Sequence, residues 1–131
     1  MTNKLEIYKC EICGNIIEVV HAGKGELVCC GKPMVLQKEN SKGEYGKKHA
    51  PVITKNKENV EIKIGSVPHP MESDHYIEWI QIQTDKGESK KFLNPEKDKV
   101  AETNFPVKKP LKKSRMYCNK HGLWIKKEET S

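Results

Sequence analysis

Val60-Glu61-Ile62-Lys63-Ile64 alternates apolar and polar side chains and stops at Gly65, the period-two pattern of a strand that buries one face. Residues 76–84 are rich in β-branched and aromatic types and run into an Asp85-Lys86-Gly87 turn. Shorter runs at 51–54, 91–93 and 123–126 supply further strands. Helical periodicity is nowhere sustained, so this part of the chain is predicted to be a small antiparallel β-sandwich that carries its site on loops at one end.

A chain of 131 residues allows one ordinary domain or two small ones. Hydrophobic residues make up 35% and charged residues 32%, which leaves little for a large core and makes metal ions plausible substitutes for buried area. The net charge of +6 is uneven. Up to Gln37 four basic residues (Lys4, Lys9, Lys24, Lys32) balance four acidic ones (Glu6, Glu11, Glu18, Glu26), so the whole excess falls in 38–131. Four of the five cysteines lie before residue 31. Both shifts place a domain boundary near Gln37, giving segments 1–37 and 38–131. No apolar run approaches the ~20 residues of a membrane span, and Lys4, Glu6 and Lys9 sit where a signal peptide would be apolar. The expected location is the cytoplasm, where thiols stay reduced and serve metals in preference to disulfides.

In the first segment, Cys10-Glu11-Ile12-Cys13-Gly14 is a metal knuckle whose two-residue spacer lets both sulfurs face one ion. Cys29 and Cys30 complete a four-thiolate set. The plainest reading is a structural zinc knuckle. Adjacent cysteines are unusual in that role, because Cα atoms ~3.8 Å apart must strain a tetrahedron when both sulfurs bind one ion. A redox iron site tolerates such distortion. Thirty-seven residues cannot bury enough surface to fold alone, so the metal contributes to folding.

The second segment holds Cys118-Asn119-Lys120-His121-Gly122, a cysteine and a histidine able to chelate one ion from a tight loop. His49, His69 and His75 lie upstream, His49 just before Ala50-Pro51 and His69 between Pro68 and Pro70. A lone histidine is usually exposed or merely hydrogen-bonded, and that is the expectation for His21, on a surface loop. The other four together with Cys118 give one thiolate and four imidazoles. This is not the closed four-ligand set of structural zinc, and it points to a reactive five-coordinate centre.

These motifs resemble one family closely, the two-centre superoxide reductases known as desulfoferrodoxins. The resemblance covers Tyr8 to Asn15, Gly25 to Cys30, Lys48 to Ile53, His69 to Glu72, His75 to Ile80 and Tyr117 to Gly122. It implies an all-β chain, with a small desulforedoxin-like domain followed by an immunoglobulin-like sandwich, paired as a homodimer. It implies two iron ions: a distorted tetrathiolate at Cys10, Cys13, Cys29 and Cys30, and a square-pyramidal centre with His49, His69, His75 and His121 in the plane and Cys118 axial. The implied reaction is one-electron reduction of superoxide to hydrogen peroxide without oxygen release, with electrons from a donor such as rubredoxin or a reductase. Lys48 matches the family lysine that draws in the anion. The residue before it is usually a glutamate, and here it is Lys47, with Glu44 three residues earlier.

Two rival readings remain at this level. A zinc-ribbon module for RNA or DNA suits the sequence pI of about 9.0 and the four cysteines, but it leaves four histidines and Cys118 unused. Its reading segment would be charge-balanced, and aromatic residues are only 6%, so neither a nucleic-acid nor a membrane partner is expected. A rubredoxin-like electron carrier would use only the first centre. The basic run at 108–115 reads as a solvated rim that adds to an attractive field for anions.

Overall fold

The computed structural model describes residues 1–41, 49, 51–56, 58–65, 69–85, 87–107 and 111–127. Lys47, Lys48 and Glu44, as well as 108–110 of the basic run, fall outside them. The regular elements that the described residues form are strands. No helix among the described residues is long and apolar enough to cross a membrane. The chain divides into two compact units, Met1–Lys38 and Glu39–Ser131.

In the first unit, β1 (Ile7–Lys9) pairs with both β2 (Ile16–Glu18) and β5 (Val35–Leu36) in the sheet order β2-β1-β5, and β3 (Val28–Cys29) pairs with β4 (Lys32–Pro33). Ile7, Cys10 and Val19 are the buried apolar residues of this unit. At ~1.5–3 kcal/mol for a large aliphatic side chain, they offset little of the ~1–2 kcal/mol per residue of backbone ordering. Two tight turns present the cysteines. The Gly14 N–H donates to the Cys10 carbonyl at 2.9 Å, with Gly14 at φ 85°. The β3–β4 connection is Cys30-Gly31, at φ 54° and 76° between the paired Cys29 and Lys32. Two successive positive φ values make a type I′ hairpin turn. Glycine adopts that conformation freely, whereas at Cys30 it costs roughly 1–2 kcal/mol. Cys30 thus has a strained backbone beside Cys29.

The second unit is a β-sandwich of the immunoglobulin-like class. One sheet has the order β10-β7-β6, from β6 (Pro51–Lys55), β7 (Val60–Ile64) and β10 (Glu102–Phe105). The other has the order β12-β11-β8-β9, from β8 (Ile77–Thr84), β9 (Gly87–Phe92), β11 (Leu111–Cys118) and β12 (Gly122–Lys127), and pairing throughout is antiparallel. The alternation in β7 works as written: Val60, Ile62 and Ile64 enter the core while Lys63 points outward. They meet Ile77, Ile80, Ile82, Phe105, Met116 and Trp124 in one apolar cluster.

Two of these strands, β10 and β11, go beyond the sequence expectation. Polar Lys112-Lys113-Ser114-Arg115 looks like a solvated rim, yet Ser114 and Arg115 are fully buried. Burial is tolerated because the polar groups are satisfied. Arg115 Nε donates to Gln81 Oε1 at 2.7 Å and its Nη1 reaches Glu39 Oε2 at 3.1 Å, while Ser114 Oγ donates to the Gln81 carbonyl at 3.1 Å. Near the end of β11 the pairing shifts register, with Tyr117 opposite Trp79 but Cys118 opposite Ile77, so Glu78 is an extra residue. Such a bulge re-aims the side chains beside it, and it falls where Cys118 joins the apolar cluster.

Candidate metal centres

Loops and strand ends of the sandwich bring five donors together. His49 precedes β6, His69 and His75 lie between β7 and β8, Cys118 closes β11, and His121 lies in the turn to β12. Their ligand atoms lie within 4.8 Å of one another. The imidazoles form a closed ring, with centroids separated by 4.7 Å for His49 and His69, 4.8 Å for His69 and His75, 5.1 Å for His75 and His121, and 4.7 Å for His121 and His49. Each ring stands edge-on to the next, at 68° to 80°. This pinwheel points nitrogens, not ring faces, at a common centre.

The nitrogen spacings discriminate between geometries. His49 Nε2 lies 3.0 Å from His69 Nε2 and 3.0 Å from His121 Nδ1. Donors ~2.1 Å from one ion stand roughly 3.0 Å apart on adjacent corners of a square, but roughly 3.4 Å apart in a tetrahedron. The square fits. His75 Nε2 is buried without a hydrogen-bond partner, an orphan of the kind that a metal ion satisfies. Cys118 Sγ approaches His69 Nε2 at 3.5 Å and His121 Nδ1 at 3.8 Å. Three Nε2 atoms, one Nδ1 and one sulfur therefore converge.

The surroundings prepare these donors. His69 Nδ1–H donates to the Pro70 carbonyl at 2.8 Å, which fixes the tautomer with Nε2 free to bind. Burial pushes the His69 pKa down to about 4, against the smaller upward pull of that hydrogen bond, so the imidazole is neutral at pH 7. Burial raises the Cys118 thiol, opposed by the backbone N–H groups of Lys120 and His121. Without a metal the sulfur keeps its proton; an ion displaces it, and the two N–H groups then bond to the thiolate. Trp124 stacks on His49 with centroids 5.0 Å apart, and its Nε1 donates to the His121 carbonyl at 3.0 Å. Trp124 is absent from the sequence reading because nothing in its spacing distinguishes it from an ordinary core aromatic.

The first unit gathers Cys10, Cys13, Cys29 and Cys30, again within 4.8 Å. Sulfurs bound to one ion at ~2.3 Å stand roughly 3.8 Å apart in a regular tetrahedron. Here Cys13 and Cys29 are 3.5 Å apart and Cys29 and Cys30 are 4.0 Å apart. The Cys13 N–H donates to Cys10 Sγ at 3.4 Å, and this bond leads the causes that lower the Cys10 pKa to about 6. Cys30 is pushed up to about 12 by hydrogen bonding with Cys13, then Cys10 and Cys29. Cys10 forms a thiolate readily, whereas Cys29 and Cys30, both raised, need an ion to lose their protons. His21 is exposed and joins neither donor set.

A ring of four imidazoles with a buried thiolate in the second unit, and a four-sulfur knuckle in the first, define a two-centre non-haem iron protein of all-β fold. Residues 41–127 match the desulfoferrodoxin family and residues 2–37 the desulfoferrodoxin N-terminal domain. The chain belongs to the desulfoferrodoxin family. It is 51% identical over 124 residues to a desulfoferrodoxin of Syntrophotalea carbinolica, covering 95% of this chain and 97% of that protein. Its first unit is 51% identical over 37 residues to the desulforedoxin of Megalodesulfovibrio gigas, covering 28% of this chain and all of that protein. The fold is similar to that of the superoxide reductase from Treponema pallidum, with TM-score 0.77 and 26% identity over 97% of this chain and 100% of that one.

Proposed function

We propose that this chain is a superoxide reductase, reducing superoxide by one electron to hydrogen peroxide with two protons and an external electron. The gathering of four imidazoles and Cys118 carries this reading. Neither a zinc ribbon nor a one-centre carrier has a use for it. Iron held by these five donors would supply the single electron and accept the small anion. His49, His69, His75 and His121 would hold the ion through their ring nitrogens, and the Cys118 thiolate would push electron density onto it, which favours release of peroxide with its oxygen–oxygen bond intact. Lys120 and His121 N–H groups temper the push. Lys48, adjacent to His49, draws superoxide inward, and Lys47 adds a second cation where the family usually has a carboxylate.

The labour is divided by segment: 1–37 passes electrons through Cys10, Cys13, Cys29 and Cys30, and 38–131 performs the reduction. Cys13 and Cys30 are exposed, which supports electron entry from a donor such as rubredoxin or a reductase. The working form is a homodimer in the cytoplasm. Pulse-generated superoxide mixed with the ferrous protein tests the activity: one peroxide per superoxide and no oxygen is expected, and half a peroxide with oxygen release would mean dismutation.

A further inference from the structure

Asn119 follows the ligand Cys118 and precedes Lys120 and the ligand His121, and its side-chain amide and backbone N–H engage the segment that carries a third ligand, His75. Its Oδ1 accepts the Tyr76 N–H at 2.8 Å, its Nδ2 donates to the Asp74 carbonyl at 3.0 Å, and its own N–H donates to the Tyr76 carbonyl at 3.2 Å. His75 sits between those two partners in sequence, in a turn closed by reciprocal backbone bonds with Glu72 at 2.9 and 3.1 Å. Lys120 and His121, which follow Asn119, are the two residues whose backbone N–H groups lower the Cys118 pKa against its burial, and His121 Nδ1 lies 3.8 Å from the sulfur. The nearby Lys120–Asp74 ion pair is long, at 4.0 Å, and exposed on both sides, and contributes little. At the far end of the turn, the His121 carbonyl is held by Trp124.

We propose that Asn119 is a positioning residue for the thiolate: by pinning the Cys118–His121 turn to the His75 segment, it holds the Lys120 and His121 N–H groups on the sulfur and thereby sets its electron donation to iron. This rests on the second centre being an iron site. Hydrogen bonds to a ligating sulfur draw density from it and raise the potential of the metal. Losing the Asn119 side chain frees the near end of the turn while Trp124 keeps the far end, so the centre persists with a more strongly donating sulfur.

The test uses the full-length, iron-loaded chain with Asn119→Ala, read by the sulfur-to-iron charge-transfer band of the ferric second centre and by its midpoint potential. Amide exchange at Lys120 and His121 is followed in the zinc-loaded protein. The band should move to longer wavelength, the potential should fall, and both amides should exchange roughly tenfold faster, as expected when side-chain bonds that close a turn are lost. Asn119→Asp keeps the acceptor for the Tyr76 N–H and should leave the two exchange rates near those of the parent. Asn119→Ser removes the same two side-chain bonds as alanine and carries the same expectation if the alanine variant loses iron. An unmoved band with unchanged exchange overturns the role. None of these readouts involves turnover, so a parent protein inactive toward superoxide would contradict the proposed activity and leave this inference standing.

Discussion

Trp124 lies flat against His49, ring centroids 5.0 Å apart and planes 17° from parallel, while the rings of His69 and His121 stand edge-on to the same imidazole. The indole also donates to the His121 carbonyl. One core side chain therefore steers two ligands from distant parts of the chain, one by a ring face and the other through a backbone turn.

Trp124→Phe keeps an aromatic face on His49 but removes the bond to His121, and should cost about 0.5–1.5 kcal/mol. Trp124→Ala should cost about 3–5 kcal/mol and loosen both ligands. Thermal unfolding and iron content after dialysis check this: Trp124→Phe should retain second-centre iron, and Trp124→Ala should lose it while keeping the first.

Arg115 is buried in a sheet with its charge answered by Glu39. Removing it by Arg115→Ala should destabilise the second unit by about 2–5 kcal/mol, through the cavity left and the hydrogen bonds lost to Gln81 and Glu39. Burial works to raise the Glu39 pKa, but Lys113 at 2.8 Å and Arg115 outweigh it, leaving the carboxyl below its ordinary 4.5. A depressed folded pKa means a contribution that is fully present above the unfolded value and lost as pH falls through the folded one. Urea unfolding of the parent and Glu39→Gln should therefore differ at pH 7, and the gap should close on acidification below about pH 4.5.

Lys48 should act on capture. Exposed charges steer small anions through a field screened over ~10 Å at about 0.1 M salt, so Lys48→Ile should slow the bimolecular rate and flatten its ionic-strength dependence. Lys47, a cation next to it in sequence, should favour the lower-charged ferrous state, and Lys47→Glu should lower the midpoint potential. Redox titration of both forms and pulse kinetics across salt check the two statements.

The alternation of 60–64 and the β-rich stretch at 76–84 read directly as strands because each buries side chains in a simple period. β10 and β11 do not, since β11 hides its strand character under lysines and an arginine whose burial depends on Gln81, from β8, and Glu39, both remote in sequence. The cysteine spacings give both thiolate sets locally. His49, His69 and His75 are legible in the sequence as companions of Cys118 and His121, but which nitrogen each presents is a three-dimensional fact. Asn119 and Trp124 act through hydrogen bonds and a ring face, for which the sequence carries no period or spacing.

The most direct test of the account compares Cys118→Ser with Cys13→Ser, each folded and iron-loaded, by pulse-generated superoxide and visible absorption. Cys118→Ser should abolish one-electron reduction of superoxide and keep the tetrathiolate chromophore, whereas Cys13→Ser should lose that chromophore and reduce superoxide at a rate near that of the parent. If Cys13→Ser eliminated the reaction with the second centre loaded, or Cys118→Ser left it intact, the assignment of the chemistry to the four-histidine, one-cysteine centre would be contradicted.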